Sequence, residues 1–496
     1  MKPLTVVITH NQNPFFEKTL ISLTKSDLVE CVVIISQEPV DLKIPGGRVL
    51  VAEPLPSHET LRLILEGIQT KYLLLLPHAK QISIEPRALE RILKVADSRK
   101  AGLVYSDFFD ESKHGKTLHP LNDYQLGSVR DDFDFGAMVL FSASAVRKAL
   151  KKYGLIPGMK FGGLYDLRLK VSIEHSVNHL QEPLYTVTKT DEPSASEKIF
   201  TYVDPQNRVL QKEMETVFTD YLKKIGSYLP PTFKEVEQIP KPFPVEASIV
   251  IPVRNRKETI AEAVKSALSQ ETDFSFNVIV VDNHSKDGTT AILSDLARQS
   301  SCLKHIVPKR TDLGDLGIGG CWNEALRHET CGRYIVQLDS DDLYSSNRTL
   351  QKMVDMLRQG NFGMVIGSYT LVDSELKEIP PGLIDHREWT EENGHNNALR
   401  INGLGAPRAF NTDLMRKIGF LNVSYGEDYA AALRICREYR IGRIYESLYF
   451  CRRWSGNSDS GLSIEEANRN DAFKDKIRTI EISARQKMNQ SNTLIL

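Results

Sequence analysis

The stretch RYIVQLDSDDLY, residues 333–344, places an apolar run directly before a cluster of aspartates. The apolar run predicts a short buried strand, with the acids at its carboxyl end. Earlier in the chain, KYLLLLPHAK (residues 71–80) has the same basic residue, tyrosine and apolar run, but it ends in PHAK. The chain therefore contains the same predicted strand twice, and acids follow only one of the two copies.

Other segments of the two halves also match each other. Five pairs occur in the same order in both halves, and they begin at residues 4 and 247, 101 and 362, 137 and 406, 164 and 426, and 181 and 445. An ordered set of this kind indicates a duplication rather than chance similarity.

The boundaries of the two copies follow from composition. Residues 227–246 contain five prolines, which disfavour a helix and predict an extended linker. We expect a first domain over residues 1–226 and a second over residues 247–462. Residues 463–496 open with a capping-box pattern and predict a helical tail, which we expect to pack on the second domain or on a partner.

Each copy alternates short apolar strands with amphipathic helices. For example, FNVIVVD (276–282) is followed by TTAILSDLARQ (289–299). This alternation predicts an α/β fold, with two tandem Rossmann-like domains whose sheets are mostly parallel and carry helices on both faces. Because ligands of such sheets bind at the carboxyl ends of the strands, the residues that follow each strand are the candidate site.

Length, charge and cysteine content limit the class of protein. A chain of 496 residues suits two or three domains. The formal net charge of -1 gives no basic field for nucleic acid, and the six cysteines form no CxxC pair, which is typical of reduced thiols in the cytoplasm. The start of the chain has no signal-peptide core, and no run approaches the ~20 apolar residues of a membrane span. We expect a cytoplasmic protein that contacts a membrane at most peripherally, at its inner face. The sequence does not decide whether the chain forms a homo-oligomer.

In the second copy, polar residues follow several predicted strands. The stretches that contain them are residues 252–255, 282–288 and 339–342. Carboxylate oxygens clustered at one point suit Mg²⁺ or Mn²⁺, and such an ion would neutralise the charge of a departing diphosphate. The alternative for the DSDD stretch is an ordinary acidic turn after a strand.

The order of IPVRNR, VVDNHSKDGT, LGIGGCWNEAL and YIVQLDSDD closely resembles the nucleotide-sugar half of family 2 glycosyltransferases, which have the GT-A fold. The resemblance covers about residues 247–460. It implies Asp341 and Asp339 as the metal-ligating acids of a DxD motif, with Mn²⁺ or Mg²⁺ as the cofactor. It also implies a set of donor-binding residues: Pro252, Val253, Arg254, Asn255, Asp282, Asn283, Asn323, Asp339, Ser340, Arg453 and Trp454.

The resemblance also assigns the acid–base chemistry. Glu427 and Asp428 in YGEDYAAALR match a family ED pair in which the aspartate deprotonates the acceptor hydroxyl and the glutamate helps hold the acceptor. A sugar hydroxyl needs such a base because it is a poor nucleophile. The alternative is a pair of acids that favours a helix N-terminus. Arg453 and Trp454 match the end of the family's QxxRW-like segment, but the glutamine and a later histidine are absent, so Ser455, Asn457 or water would complete the metal shell.

The first copy lacks most of these groups. PHAK replaces DSDD, Tyr165 replaces the glutamate of the ED pair, and Lys189 and Thr190 replace the Arg-Trp pair, whereas Asp166 remains. We expect the first domain to be a degenerate, non-catalytic GT-A-like copy. A structural scaffold and an acceptor-binding module both stay open as its role.

The sequence therefore predicts an inverting, metal-assisted glycosyltransferase. It would move a sugar from a nucleotide-diphosphate sugar, with a UDP-sugar favoured, to a hydroxyl of a glycan or glycoconjugate acceptor. One alternative is a nucleotidyltransferase, which would need a glycine-rich loop that IPVRNRKETI does not provide. The other is a non-catalytic carbohydrate-binding or scaffold protein, which the intact acids of the second copy argue against.

Overall fold

A computed structural model describes residues 1–11, 14–40, 46–77, 81–113, 115–188, 207–237, 241–310, 314–454, 456–457 and 461–493. The described residues fall into two compact units. The first lies within Met1–Lys198, Arg208–Tyr228 and Leu462–Leu496, and the second within Ile199–Asn207 and Leu229–Gly461. His78, Ala79, Lys80, Lys189, Thr190 and Ser455, which the sequence analysis compared or considered, lie outside the described residues.

The first unit is an α/β structure. Its described strands are β1 (Leu4–Thr9), β2 (Val29–Ser36), β3 (Gly47–Val51), β4 (Tyr72–Leu76), β5 (Gln81–Ile84), β6 (Leu103–Ser106), β7 (Phe108–Ser112), β8 (Gly115–His119), β9 (Val139–Ser142), β10 (Val177–Leu180) and β11 (Tyr185–Thr188). Its helices are α1 (Pro14–Thr24), α2 (His58–Glu66), α3 (Ala88–Arg99), α4 (Ala143–Tyr153), α5 (Gly163–Glu174) and α6 (Arg208–Lys224).

The second unit has the same class of fold. Its described strands are β12 (Ala247–Val253), β13 (Phe276–Asp282), β14 (Leu303–Ile306), β15 (Tyr334–Gln337), β16 (Leu343–Tyr344), β17 (Phe362–Val372), β18 (Glu378–Ile384), β19 (Arg408–Asn411) and β20 (Arg440–Arg452). Its helices are α7 (Ile260–Leu268), α8 (Thr289–Gln299), α9 (Ile318–Arg327), α10 (Thr349–Gln359), α11 (Gly394–Asn397), α12 (Thr412–Ile418) and α13 (Glu427–Cys436).

The central sheets of the two units share one strand order. In the first unit the order is β10-β6-β9-β4-β1-β2-β3, and in the second β14-β13-β12-β15-β19-β17-β20 is followed by β16 at the edge. From one edge, the first sheet runs β3-β2-β1-β4 and the second runs β14-β13-β12-β15. In both sheets an antiparallel strand comes next, β9 in the first and β19 in the second. Equal order in two sheets is what a duplication predicts.

The pairing register beside the fourth strand is also the same. Tyr72 pairs with Ser142 where β4 meets β9, and Tyr334 pairs with Asn411 where β15 meets β19. The two partners, Ser142 and Asn411, cap the following helices with their side chains. A short polar side chain at this position stabilises the helix start, because its oxygen accepts a hydrogen bond from an otherwise unpaired backbone N–H group.

The α/β prediction with mostly parallel central strands is confirmed. The predicted strand over 276–282 and the predicted helix over 289–299 occur with those bounds. The sequence did not reveal a separate four-stranded sheet of the first unit, in the order β5-β11-β7-β8. β11 pairs with β5 and with β7, which lie far from it in sequence, so local periodicity gives no signal for these pairs. β7 and β8 form a local hairpin.

The carboxyl-terminal helix, α14 (Ile464–Thr493), corrects one expectation. It was expected to pack on the second domain or on a partner, but it groups with the first unit. Asp475 is fully buried there and accepts a hydrogen bond of 2.7 Å from Ser128, while Arg130 lies 3.0 Å from Asp471. These buried contacts give the helix a specific partner, which periodicity alone cannot identify.

The predicted linker over 227–246 also makes packed contacts. From Leu229 onward it groups with the second unit, where Leu229 and Val236 are buried. Their backbone N–H groups donate to the side chains of Asn396 and Asn361, at 3.1 and 2.6 Å. The described residues of this segment from Leu229 onward therefore pack on the second unit. None of the described helices is long and apolar enough to cross a membrane.

Candidate active site

A cleft of about 470 Å³ opens in the second unit. It lies where β12, β13 and β15 end, the edge at which a sheet of this kind binds ligands. Its walls include the residues after β15, the start of β19 and the start of α13, so segments far apart in sequence meet there.

The acidic turn after β15 forms one wall of the cleft. The Asp342 carboxylate is buried and accepts a hydrogen bond of 2.7 Å from the Arg452 backbone N–H group. The Gln337 amide lies 3.0 and 3.1 Å from the two carboxylate oxygens of Asp339. Burial raises the pKa of both Asp339 and Asp342, and the negative charge of Asp341 raises each pKa further. The turn therefore concentrates acids that repel one another.

Asp341 is the acid of this turn that meets the segment after β20. The indole N–H of Trp454 and the amide nitrogen of Asn457 each lie 3.3 Å from Asp341 Oδ2. Arg256 Nε lies 3.7 Å from the same oxygen. Within the described residues, no group of three or more histidine, cysteine, aspartate and glutamate side chains could hold a metal ion. Any cation here would therefore need amide, backbone or water oxygens in addition to the acids.

The second wall is the start of α13. Gly426 precedes the helix with φ 80°, a left-handed conformation that glycine adopts without strain. Glu427 is 8% exposed, and burial together with the charge of Asp428 raises its pKa to about 8. The Asp428 side chain is 32% exposed, so it is the member of the pair that a ligand in the cleft would reach more easily.

Arg408, from β19, lies between the two acidic walls. Its Nη2 atom is 2.7 Å from Asp428 Oδ2, and its Nη1 atom donates a hydrogen bond of 3.1 Å to Gln337 Oε1. Since Gln337 also donates to Asp339, a continuous chain of polar contacts runs from Asp339 to Asp428. Burial lowers the pKa of Arg408, but the charges of Asp428 and Asp339 outweigh this and raise it, so the guanidinium stays charged.

Comparison with known proteins identifies this unit. Residues 248–418 match the family described as "Glycosyl transferase family 2". The second unit is thus similar to glycosyltransferase family 2 over residues 248–418, and we call it the glycosyltransferase domain. The glycosyltransferase domain thus contains the cleft, the acidic turn and the start of β19, and the match ends shortly before the ED pair.

Individual relatives match parts of the chain. The Escherichia coli protein named "UDP-Glc:alpha-D-GlcNAc-diphosphoundecaprenol beta-1,3-glucosyltransferase WfgD" is 26% identical over 40% of this chain and 72% of its own length. "Putative glycosyltransferase EpsE" of Bacillus subtilis is 32% identical over 26% of this chain, which spans 45% of EpsE. The structure of S. aureus TarS 1-349 in complex with UDP-GlcNAc is 21% identical over 44% of this chain and 61% of that chain, with a TM-score of 0.36.

Most of the predicted site residues of the glycosyltransferase domain meet in the cleft. Ten of the predicted residues line it: Pro252, Val253, Arg254, Asn283, Asp339, Ser340, Asp341, Glu427, Asp428 and Arg453. Four others do not line it: Asn255, Asp282, Asn323 and Trp454. Trp454 still contacts Asp341, whereas the other three have internal partners described below.

Asp282 is fully buried at the end of β13. Burial alone would raise its pKa, but hydrogen bonds from His305, Ser285 and Thr290 outweigh burial and hold the pKa below its usual value. Thr290 donates to Oδ2 at 2.6 Å and the Ser285 backbone donates to Oδ1 at 3.0 Å. In this conformation Asp282 fixes the loop after β13, and its neighbour Asn283 faces the cleft.

Asn255 and Asn323 likewise hold backbone segments in place. Asn255 has φ 53° and accepts a hydrogen bond of 2.8 Å from the Lys286 N–H group, which joins the loops after β12 and β13. The Asn323 amide donates to the Phe420 carbonyl at 2.8 Å and accepts from the Phe420 N–H group at 3.0 Å. These two bonds fasten α9 to the segment that leads into the ED pair.

The glycines of LGIGGCWNEAL serve the same purpose. A Cβ atom on Gly319 would lie 1.8 Å from the Leu421 carbonyl oxygen, and one on Gly317 would lie 2.5 Å from the Val423 carbonyl carbon. Only glycine allows so close an approach of two backbones. The glycine-rich segment therefore packs against residues 421–423 and so helps to position Glu427.

Sequence reasoning missed Gln337 and Arg408, two polar residues of the cleft wall. Gln337 lies in the stretch RYIVQLDSDDLY and Arg408 in the matched segment that begins at residue 406, where the sequence predicts no role for them in the site. The comparison of the two copies contained the signal: the first copy has Leu75 and Val139 at these places, a pair that β4 and β9 bring opposite each other. A position that is polar in one copy and apolar at the matched place in the other is expected to have a different role in the two copies.

Proposed function

We propose that the glycosyltransferase domain transfers a sugar from a nucleotide-diphosphate sugar to an acceptor hydroxyl, with inversion at the anomeric carbon. The observation that carries the proposal is the meeting of Asp339, Asp341, Glu427 and Asp428 in one cleft, although the two pairs are separated by more than eighty residues of sequence. Similarity to the family supports a transferase, and the position of these acids supports this choice of roles.

The proposed reaction is a single displacement. The acceptor O–H bond breaks as its proton passes to an oxygen of Asp428, and the acceptor oxygen forms a bond to the anomeric carbon. The bond between that carbon and the diphosphate oxygen breaks, and its electron pair leaves with the nucleotide diphosphate. A positioned carboxylate of this kind contributes about 10²–10⁴ to the rate. One displacement inverts the anomeric centre.

Glu427 and Arg408 set the state of this base. Burial and the charge of Asp428 raise the pKa of Glu427 to about 8, which favours its protonated form at neutral pH and makes a proton available for a hydrogen bond to the acceptor. Arg408 keeps Asp428 paired with a cation at 2.7 Å, which favours its carboxylate form. The pair therefore offers one base and one hydrogen-bond donor to the acceptor.

The acidic turn fits a hard divalent cation, Mn²⁺ or Mg²⁺. Its carboxylate oxygens are the ligands such ions prefer, and a cation would relieve the repulsion that raises the pKa of Asp339. Asp341 and Asp339 would hold the ion, and water oxygens would complete its shell. When bound, the ion would supply charge neutralisation for the leaving diphosphate.

One unpaired atom supports a nucleotide base in the cleft. The side chain of Asn283 is buried, its nitrogen donates to the Leu316 carbonyl at 2.6 Å, and its oxygen has no hydrogen-bond partner among the described residues. A buried oxygen without a partner is unfavourable unless a ligand donates to it. The ring N–H of uracil would do so, and the name of the E. coli relative gives UDP-Glc as that protein's donor. A UDP-sugar is therefore the favoured donor.

For the acceptor we propose a hydroxyl of a glycan or glycoconjugate. The name of the E. coli relative gives a lipid-linked sugar as that protein's acceptor, and this supports the class. A cytoplasmic protein that meets a membrane surface peripherally would reach such an acceptor. Residues 383–405, which we expect to form part of the acceptor side, include the buried His386, His395 and Arg400.

A donor screen tests the proposal directly. Thermal unfolding is measured with UDP-, GDP- and other nucleotide sugars, with and without Mn²⁺, and release of the nucleotide diphosphate is then followed for the donors that bind. A ligand at a hundred times its Kd adds about 2.7 kcal/mol of stability. We expect a UDP-sugar to stabilise the chain only with the metal. If no nucleotide sugar raises the unfolding temperature and none is cleaved, the proposed function is wrong.

A further inference from the structure

The side chains of Gln337 and Arg408 link the donor acids to the base. Gln337 donates to both oxygens of Asp339, and Arg408 spans from Gln337 Oε1 to Asp428 Oδ2. Both linking residues are poorly accessible: Gln337 is 6% exposed and the Arg408 side chain 14% exposed. We call this chain of contacts the Gln337–Arg408 bridge.

The backbone places the bridge where it is needed. β15 and β19 are antiparallel, and the pair Val336–Ala409 is followed by Gln337 and Arg408. Asp339 lies two residues beyond Gln337, at the carboxyl end of β15. The bridge is therefore mounted on two adjacent strands of the central sheet, which is a more rigid support than a loop provides.

We propose that Arg408 and Gln337 are positioning residues that hold Asp428 in the orientation needed for proton transfer. This rests on the proposed function of Asp428 as the base. The Asp428 side chain starts from the first turn of a helix and is 32% exposed, so without a partner it would sample several rotamers. Its Oδ1 atom accepts a hydrogen bond of 2.6 Å from the Tyr429 N–H group, and Arg408 fixes the other oxygen.

The bridge also joins Asp428 to the site of the leaving group. Each link between Asp339 and Asp428 is a direct hydrogen bond or ion pair of 3.1 Å or less, so the bridge holds the two acids at a fixed separation on the rigid sheet. The base and the donor are thereby held in register. The first unit has Leu75 and Val139 at these places, so its corresponding strands cannot carry such a bridge.

Kinetics of single and double variants test this role. Arg408→Ala is expected to lower kcat by about 10–10² and to leave KM for the donor within about threefold, since a misplaced reacting group costs rate rather than binding. Arg408→Lys restores a cation and should recover part of the rate. Gln337→Leu should have the same sign and a smaller effect. Arg434→Ala, which removes an ion-paired arginine from the same helix as Asp428, is the matched control and should leave both constants unchanged.

The decisive comparison uses Asp428→Asn as background. If Arg408 acts through Asp428, adding Arg408→Ala to Asp428→Asn lowers kcat by less than about twofold further, because the two losses are not additive. A loss in the double variant equal to the product of the single losses would overturn the proposal. So would a rise in donor KM with unchanged kcat, which would assign Arg408 to donor binding.

A substrate-free measurement separates this proposal from the proposed function. The same double-variant cycle is followed by thermal unfolding, where a direct contact between Arg408 and Asp428 makes the two shifts in midpoint non-additive. Additive shifts overturn the bridge whether or not the chain transfers sugar. Absence of transfer by the unaltered protein, with non-additive shifts, overturns the proposed function and leaves the contact established.

Discussion

Asp166 and Asp428 occupy matched places in the two units, each in the first turn of a helix. Asp428 lines the cleft, is 32% exposed and faces Arg408 from another strand. Asp166 is 1% exposed, and the Lys170 ammonium group one helical turn later lies 2.7 Å from its carboxylate. The same residue thus has two tasks: in one unit its charge is available to a ligand, and in the other an internal cation neutralises it.

The strands next to these two helices also differ in polarity, with polar residues in the second unit where the first unit has apolar ones. Gln337 and Arg408 of the second unit correspond to Leu75 and Val139, and Pro77 stands where Asp339 stands. The first unit keeps a cavity of about 430 Å³ beside these residues, lined largely by apolar side chains. The fold therefore does not depend on the Gln337–Arg408 bridge. The acids of the second unit are thus not needed for folding, which favours a role in ligand binding.

The largest expected effect concerns Asp428→Asn. The amide keeps the size of the carboxylate but cannot take a proton, so transfer should fall by about 10²–10⁴ with donor affinity nearly unchanged. Asp166→Asn is the matched change in the first unit and should leave transfer by the folded protein unaltered. Initial rates and donor calorimetry on both variants check this. Full turnover by Asp428→Asn would mean that the base is another residue.

The same pair gives the opposite result for stability. Asp166→Asn leaves the buried Lys170 without its main counter-ion, and breaking a buried pair costs about 3 kcal/mol or more. Lys170 also lies 3.6 Å from Asp220, which limits the loss. We expect a clearly lower unfolding midpoint for Asp166→Asn and a small change for Asp428→Asn. Equal midpoints for the two variants would contradict the different tasks assigned to the two aspartates.

The sequence and the structure agree on the α/β fold and on the position of the ED pair, and the reasons are physical. Short apolar runs defined the strands, and the resemblance identified the ED pair as two adjacent acids at the start of a helical stretch, where the helix dipole also favours them. Arg408 could not be found in this way, since a charged residue at the start of a strand carries no periodic signal. Asp282 shows the converse: its motif marked it as a ligand-binding residue, but its carboxylate is fully buried and bonded to its own loop.

Loss of the acidic turn should remove donor binding from the whole chain. Replacing Asp339 and Asp341 with alanine removes two proposed cation ligands, and we expect metal-dependent donor affinity to fall by about 10² or more. Removing mutually repelling acids should not destabilise the metal-free fold. Calorimetry is expected to find one donor site in the unaltered chain and none in the double variant.

A site that survives this change would place a working nucleotide site elsewhere. The first unit is the obvious place, because its sheet has the same strand order. Lys80, which replaces an acid of the turn but lies outside the described residues, would then be the first cation to exchange for alanine. Two donor sites in the unaltered chain would likewise end the division of labour between the units.

The smallest expected effect is the pH dependence that Glu427 contributes to the stability of the second unit. Glu427 has a folded-state pKa of about 8, raised by burial and by Asp428, whereas its unfolded form loses the proton near 4.5. Between these values the folded state holds a proton that the unfolded state has released, so rising pH favours unfolding. The free energy of unfolding should fall between pH 6 and pH 8 by at most about 1.4 kcal/mol per pH unit.

Glu427→Gln removes this titration, and the matched residue of the first unit, Tyr165, has its hydroxyl bonded to the Val129 carbonyl. We expect the midpoint of Glu427→Gln, relative to the unaltered chain, to rise as pH rises from 6 to 8, while Tyr165→Phe shows no such trend. Arg408 faces Glu427 and lowers its pKa, so Arg408→Ala should shift the transition to higher pH. A constant difference between Glu427→Gln and the unaltered chain across this range would mean that Glu427 is already ionised beside Asp428.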